Sequence, residues 1–126
     1  MSPLMCLATA LFFEAGVESH DGMLAVADVI LNRVEDSRYP DNVCEVIAEP
    51  FAFSYTHDGK SDVMPVSPNA VKAIHVAAEA LTGASTGITS THYVAVYAPE
   101  QDWQKAFDFD GRIGLHMFYT NNTPWR

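Results

Sequence analysis

One glutamate stands out as a residue that could carry acid–base chemistry. Glu14 follows the apolar run Leu11-Phe12-Phe13, so its carboxyl group is expected to be at least partly buried. Burial raises the pKa of a carboxyl group and keeps it protonated, as a general acid requires. The alternative is a carboxylate at the rim of the core that accepts hydrogen bonds from backbone amides. Glu18 lies four residues on and would face the same way only if a helix continued past Gly16.

The histidines and cysteines show no pattern of a metal site or a nucleophile. No two histidines have the i, i+4 spacing of a helical zinc site, no Gly-x-Ser-x-Gly occurs, and neither cysteine is flanked by a base. We therefore expect neither a metal nor another cofactor. His92 and His116 fall in predicted strands and could meet across them. The other three are expected to be structural or exposed: His20, His57 and His75.

Aromatic side chains are frequent near the predicted loops and strands. Sugar rings present apolar faces that pack well on aromatic rings. Several of these residues must also belong to the core, so the pattern alone does not identify a glycan site. They are Phe51, Phe53, Tyr55, Tyr93, Tyr97, Trp103 and Tyr119.

The sequence contains only two cysteines, Cys6 and Cys44. Two cysteines do not make a disulfide framework. They could pair if the first helix lies beside the segment near residue 44. Two buried thiols are the alternative, since free cysteine behaves as a small apolar residue.

The elements that must position these groups begin with helices. Apolar residues at helical spacing predict a first helix over about 3–15, closing near Gly16, and a polar connector over 17–22. Residues 23–34 are apolar on nearly every face, which is typical of a helix buried in the middle of a domain. Asp41 can cap a short helix, 49–66 is predicted to be a long loop, and Ser67-Pro68 begins a helix that Gly83 ends.

The last third of the chain changes character. Residues 91–97 are rich in aromatic and β-branched residues and predict a strand, with 113–119 as its partner. Helices followed by a short hairpin or sheet indicate an α+β fold. We see no internal repeat and no linker, so residues 1–126 are expected to form a single domain.

Composition and charge exclude several classes of protein. The chain has 126 residues and 48% hydrophobic residues, enough for one folded core. The formal net charge of −9 argues against a partner held by phosphate contacts, so we expect no nucleic acid and no anionic membrane. No apolar run of about 18 residues is present, so we expect no membrane insertion. The apolar N-terminal run lacks the basic start of a signal peptide, because no Lys or Arg precedes Arg33.

Several sequence pieces, taken in order, resemble the SleB-type cell wall hydrolase family. The first two are Phe12-Phe13-Glu14-Ala15 with Glu18, and the run Leu24 to Val34 that ends in Leu-Asn-Arg-Val. The others follow along nearly the whole chain: Tyr39-Pro40, Val43 to Ile47, Phe53-Ser54-Tyr55, Asp58-Gly59, Thr91-His92-Tyr93, Pro99 with Trp103, and Ile113 to Tyr119.

The resemblance implies a lysozyme-like domain that cuts peptidoglycan glycan strands between N-acetylmuramic acid and N-acetylglucosamine. Glu14 matches the family's catalytic glutamate, and Glu18 is expected to orient a neighbour or to tune the pKa of Glu14. Asn32 and Arg33 are expected to hold the fold near the site, and the protein is expected to be a monomer. The residues expected to contact substrate are Ser54, Tyr55, His92, Tyr93 and His116, with strand packing as the alternative for His116.

The sequence also departs from the family pattern, chiefly in the segment 51–58. Tyr55 replaces a Trp, Ala52 a Gln, and Met23 another Gln, while Phe51 and His57 stand where some relatives carry Cys. Substrate contacts there are expected to differ.

The resemblance leaves the chemistry and the biological setting open. The family is described as lytic transglycosylases. The alternatives are a muramidase that hydrolyses the same bond and a non-catalytic peptidoglycan-binding module. With no visible export signal, we favour a phage endolysin held in the host cytoplasm until release to the periplasm and wall, over a bacterial wall enzyme.

Overall fold

The computed structural model describes residues 1–49, 52–53 and 63–123. Within these ranges the order is α1 (Pro3–Ala15), α2 (His20–Glu35), α3 (Val43–Ala48), α4 (Pro68–Leu81), β1 (His92–Ala95), α5 (Asp102–Ala106), β2 (Asp108–Ile113) and β3 (His116–Thr120). The strands form one antiparallel sheet in the order β1-β3-β2. The predicted α+β class is confirmed.

The core lies between the helices. α1 packs mainly on α4, and α2 packs on α1, α3 and α4. The all-round apolar pattern of α2 is confirmed, since every residue from Gly22 to Ile30 is buried. Leu7 and Leu11 of α1 are fully buried, and Phe118 of β3 joins the sheet to the same cluster. This packing fixes the direction in which the last turn of α1 presents Glu14.

Local capping explains where the helices begin. Ser2 caps α1 and Ser67 caps α4, each with a proline in the first turn, as the sequence predicted for α4. α2 begins at His20 rather than Met23, because the Ser19 side chain accepts a hydrogen bond from the Gly22 amide. Asn42, not Asp41, caps α3 through a 2.9 Å hydrogen bond from the Glu45 amide to Oδ1.

The strands of the sheet differ from the predicted strands in their bounds and in their number. The predicted strand 113–119 is interrupted at Gly114-Leu115, so Ile113 ends β2 and His116 begins β3. Gly114 adopts a φ of +61°, a conformation that other residues rarely take, and this permits the turn. β2 was not predicted as a strand, and β1 ends at Ala95 instead of Tyr97.

Cys6 and Cys44 form a disulfide between α1 and α3. The first of the two alternatives for the cysteines is therefore correct. The bond is possible because α3 packs beside α1 and brings the two Cα atoms to 5.4 Å. The bond covalently links the first half of α1, the helix whose last turn carries Glu14, to α3.

Candidate active site

Glu14 lies in the last turn of α1 and is partly buried. Its Oε1 accepts a 2.6 Å hydrogen bond from the Tyr93 hydroxyl of β1. Burial raises the pKa of the Glu14 carboxyl group above its usual value, and this outweighs the Tyr93 hydrogen bond and the nearby His116 charge, which both lower it. Glu14 is therefore an acid that keeps its proton to a higher pH than an exposed glutamate.

Glu18 does not continue the Glu14 face of α1, because the helix ends at Ala15. It turns instead toward the β2–β3 hairpin, and only 3% of it is exposed. Its two carboxylate oxygens accept hydrogen bonds from the Leu115 amide at 3.1 and 3.0 Å, and Oε2 lies 3.0 Å from His116 Nδ1.

Two glycines make room for the Glu18 carboxylate. A Cβ atom added at Gly22 would lie 2.7 Å from Oε2, and one added at Gly114 would lie 2.7 Å from both oxygens. The Lys72 ammonium group of α4 donates a 2.6 Å hydrogen bond to the Glu18 backbone carbonyl. The segment between α1 and α2 is thus held from the hairpin and from α4.

His116 lies between Glu18 and Tyr93. The residue is 7% exposed, and the Tyr93 ring meets its imidazole edge-on at 5.1 Å with an interplanar angle of 87°. Phe118 packs beside both rings. The structure therefore joins Glu14, Tyr93, His116 and Glu18 in one continuous set of contacts. A direct contact of His116 with substrate stays a prediction.

His92 lies on the other face of the sheet. It is the neighbour of Tyr93 in β1, and successive strand residues point to opposite faces. Its ring packs against Trp103 at 5.3 Å and Phe107 at 4.9 Å, and burial together with Arg33 and Arg38 lowers its pKa to about 4. His92 therefore does not meet Glu14.

The predicted meeting of His92 and His116 across the strands is also wrong. His92 pairs with Tyr119 in the sheet, and His116 pairs with Ala95. The two side chains lie on opposite faces. The prediction that His92 contacts substrate stays a prediction.

Asn32 and Arg33 hold the segment that leads into β1, as predicted. Asn32 Nδ2 donates to the Ile88 and Ser90 carbonyls at 3.0 and 2.9 Å, and Arg33 Nε donates to the Thr91 carbonyl at 2.8 Å. These bonds join the end of α2 to the residues just before Tyr93. They help to set the place of the Tyr93 hydroxyl.

Two residues of the predicted site, Ser54 and Tyr55, lie outside the described residues. His57, which was expected to be structural or exposed, lies outside them too. In the part of the chain that the structure does describe, no three His, Cys, Asp or Glu side chains cluster in a way that could hold a metal ion. Within the same ranges, no helix is long and apolar enough to cross a membrane.

Sequence reasoning missed the groups that surround Glu18. The Leu115 amide, Gly22 and Gly114 come from separate parts of the chain, and only folding brings them together. The one signal in the sequence was Gly114 itself, because an isolated glycine inside a strand-like run indicates a bulge or a close backbone approach. Nothing in the sequence indicates which carboxylate that turn receives.

The fold and the site together define a small α+β domain that presents one protonatable carboxyl group, fixed by a tyrosine, beside a buried carboxylate–imidazole pair. The chain belongs to the cell wall hydrolase family, whose sequence profile matches residues 17–119. Glu14 lies just before that matched range, so its assignment depends on the geometry described above.

Curated relatives and solved structures agree with this family. The chain is 35% identical over 115 residues to the spore cortex-lytic enzyme of Halalkalibacterium halodurans and 32% identical over 112 residues to that of Bacillus subtilis. These matches cover 91% and 89% of this chain but 34% and 35% of the relatives, so the chain spans about a third of their length.

The solved structures match over nearly their whole length. The catalytic domain of the germination-specific lytic transglycosylase SleB from Bacillus anthracis superimposes with a TM-score of 0.78 at 30% identity, covering 94% of this chain and 93% of that one. The Bacillus cereus SleB catalytic domain gives 0.76 at 30% identity, with 94% and 89% covered. The similarity therefore corresponds to one catalytic domain.

Proposed function

We propose that this domain cleaves the glycan strands of peptidoglycan between N-acetylmuramic acid and N-acetylglucosamine as a lytic transglycosylase. The observation that carries the proposal is the Glu14 carboxyl group, whose pKa is raised by burial and whose Oε1 is engaged by Tyr93. Family membership and the SleB catalytic domains from two Bacillus species support the substrate and the reaction.

The geometry supports a defined role for each oxygen of Glu14. Because Oε1 accepts the Tyr93 hydrogen bond, the acidic proton is placed on Oε2. Oε2 gives this proton to the glycosidic oxygen as the C1–O bond of the muramic residue breaks. The carboxylate then takes the proton of the muramic 6-hydroxyl, whose oxygen bonds to C1. The products are an anhydro-muramic end and a free N-acetylglucosamine end, and no water is consumed.

Glu18 is poorly placed to be a second catalytic carboxylate. A muramidase needs a group that activates water or attacks the sugar. Both oxygens of Glu18 are hydrogen-bonded inside the protein, and the residue is 3% exposed. This supports the transglycosylase over the hydrolase, because the transglycosylase needs a single carboxyl group.

The Glu14→Gln variant tests the proposal. The change is nearly isosteric, so we expect a folded protein that no longer releases soluble fragments from purified peptidoglycan. Glu45→Gln, an exposed glutamate on α3, is the matched control and should keep full activity. Retained cleavage by Glu14→Gln would contradict the assignment of Glu14.

Mass analysis of the wild-type digest separates the alternatives. Anhydro-muramic ends are expected, whereas reducing muramic ends would show a hydrolase. Binding to insoluble peptidoglycan with no fragments released would favour a non-catalytic module.

We also propose that the domain works in the cell wall as a monomer. The disulfide between Cys6 and Cys44 supports a place outside the reducing cytoplasm, because such bonds persist in oxidising compartments.

A further inference from the structure

The Glu18 carboxylate is a charged group for which the fold has built a dedicated place. The residue is 3% exposed, it accepts hydrogen bonds from the Leu115 amide, and it pairs with His116 Nδ1 at 3.0 Å. Any side chain at Gly22 or Gly114 would occupy the space of its oxygens. Burying a carboxylate costs free energy, and pairing offsets this cost without necessarily stabilising the fold. We therefore looked for a role of Glu18 beyond stability.

His116 connects this carboxylate to the reacting end of the site. His116 Nδ1 donates to the Glu18 carboxylate, which fixes the orientation of the imidazole. The fixed imidazole then packs edge-on with the Tyr93 ring, whose centroid lies 5.1 Å away. Tyr93 in turn donates its hydroxyl to Glu14.

We infer that Glu18 and His116 are a positioning unit for the acid/base group: Glu18 orients the His116 ring, the ring fixes Tyr93, and the Tyr93 hydroxyl fixes the carboxyl group of Glu14. The inference deepens the proposed function and depends on it for every readout of catalysis. In this inference, His116 positions Tyr93 and does not contact substrate. This agrees with a residue that is only 7% exposed.

The unit also has an electrostatic effect on Glu14. The titratable groups that face His116 are Glu18, Tyr93 and Glu14, and the positive charge of His116 lowers the pKa of Glu14. Burial acts in the opposite direction and is the larger effect. The unit thus opposes the effect of burial on the Glu14 pKa, and a lower pKa makes Glu14 a stronger acid toward the glycosidic oxygen.

The first test is His116→Asn. The asparagine amide can still donate to Glu18, but the ring against Tyr93 and the positive charge are lost. We expect kcat to fall roughly 10- to 100-fold, as small misplacements of catalytic groups do, while KM stays nearly unchanged. His75→Asn, an exposed histidine on α4, is the matched control and should change neither constant.

A second variant reaches the same unit without removing a titratable group. Gly22→Ala places a Cβ atom 2.7 Å from Glu18 Oε2, at a helical position whose backbone alanine readily adopts, and must displace the carboxylate. We expect the same loss of kcat at constant KM. This variant keeps the inference testable if His116→Asn does not fold, which circular dichroism would show.

A double-mutant cycle identifies Tyr93 as the connection. Tyr93→Phe removes only the hydroxyl, so a unit that acts through that hydroxyl has nothing left to position. At a pH low enough to protonate Glu14 in every variant, Tyr93→Phe with His116→Asn should be no slower than Tyr93→Phe alone. Additive losses would overturn the inference, and so would a raised KM with unchanged kcat, which would mark His116 as a substrate contact.

A titration of Glu14 tests the inference without any substrate. Carbon-13 NMR of the glutamate carboxyl groups, with Glu14→Gln to assign the signal, should show a higher Glu14 pKa in His116→Asn and in Tyr93→Phe than in the wild type. The same pKa in all three proteins would overturn the inference. Because this readout needs no cleavage, failure of the proposed function would be recognised separately, by the absence of peptidoglycan fragments.

Discussion

At the scale of single residues, the site combines features that favour chemistry over stability. Glu14 lies in the last turn of an apolar helix, where burial raises the pKa of its carboxyl group. A carboxyl group placed on the surface would fold just as well and would lose its proton at a lower pH. The structure therefore maintains an acid that is useful for protonating a leaving group, and the folded state loses some stability by holding it there.

The first prediction at this scale concerns stability. The folded protein holds the Glu14 proton at pH values where the unfolded chain, with a pKa near 4.5, has released it. The contribution of Glu14 to stability is therefore lost as pH rises through its folded pKa. Glu14→Gln should gain stability relative to the wild type at pH 7 and gain less at pH 4, as measured by urea unfolding at both values. A difference that does not depend on pH would contradict a raised pKa.

The second prediction at this scale concerns His92, whose pKa is shifted in the opposite direction from that of Glu14. Its folded pKa is about 4 against 6.5 for an exposed histidine, so the unfolded chain binds the proton first. The contribution of His92 to the free energy of unfolding should therefore be complete above pH 6.5 and should be lost as pH falls toward 4. His92→Phe, which fits among the rings of Trp103 and Phe107, should flatten this part of the unfolding profile. The profile of the exposed-site control His75→Phe should keep the wild-type slope.

At the scale of elements, each side chain of the site comes from a different segment. α1 carries Glu14 and the connector to α2 carries Glu18. In the sheet, β1 carries Tyr93 and β3 carries His116. The end of α2 holds the start of β1 through Asn32 and Arg33. A change that moves α1 against the sheet would therefore separate Glu14 from Tyr93 before it unfolds the domain.

The prediction at this scale concerns the disulfide, which fastens α1 to α3. Removing it by Cys6→Ser with Cys44→Ser frees a loop with a sequence separation of 38. Chain entropy in the unfolded state then predicts a loss of about 4 kcal/mol in the free energy of unfolding. Urea unfolding of the variant and of the reduced wild type measures it. Equal stability with and without the bond would show that packing alone fixes the two helices.

The elements also show how far sequence reasoning reaches. α1 and α4 were predicted, α4 together with its Ser67 cap, because a Ser-Pro start and apolar spacing are local signals. β2 was missed because Asp108, Asp110 and Gly111 are residue types that are depleted in strands, so pairing with β3 makes it a strand. The interruption at Gly114 was missed for a related reason, since a single glycine does not show whether the chain turns or continues.

At the scale of the whole molecule, charge governs the approach to substrate. The net charge of −9 gives no long-range attraction to an anionic cell wall. Affinity must therefore come from short-range contacts with the sugars. The chain spans about a third of the curated relatives but nearly all of the solved SleB catalytic domains.

The prediction for the whole molecule follows from screening. Raising salt to about 0.15 M shortens the Debye length to about 8 Å and weakens repulsion between the protein and an anionic wall. Lysis of cells should therefore increase or stay constant as salt rises, in a turbidity assay, while cleavage of short neutral glycan fragments should not respond. Steep inhibition by salt would reveal a local basic patch that binds the wall.

The sequence by itself determined the first four helices, the α+β class, the family resemblance and the candidacy of Glu14, because these depend on local spacing and on the order of motifs. It also placed Asn32 and Arg33 near the site. Only the tertiary structure decided the pairing of Cys6 with Cys44, the separation of His92 from Tyr93 by the sheet, and the burial of Glu18 against His116. These depend on contacts between residues nearly 40 to 100 positions apart and on which face of a strand points inward, and a side chain's type does not carry that information.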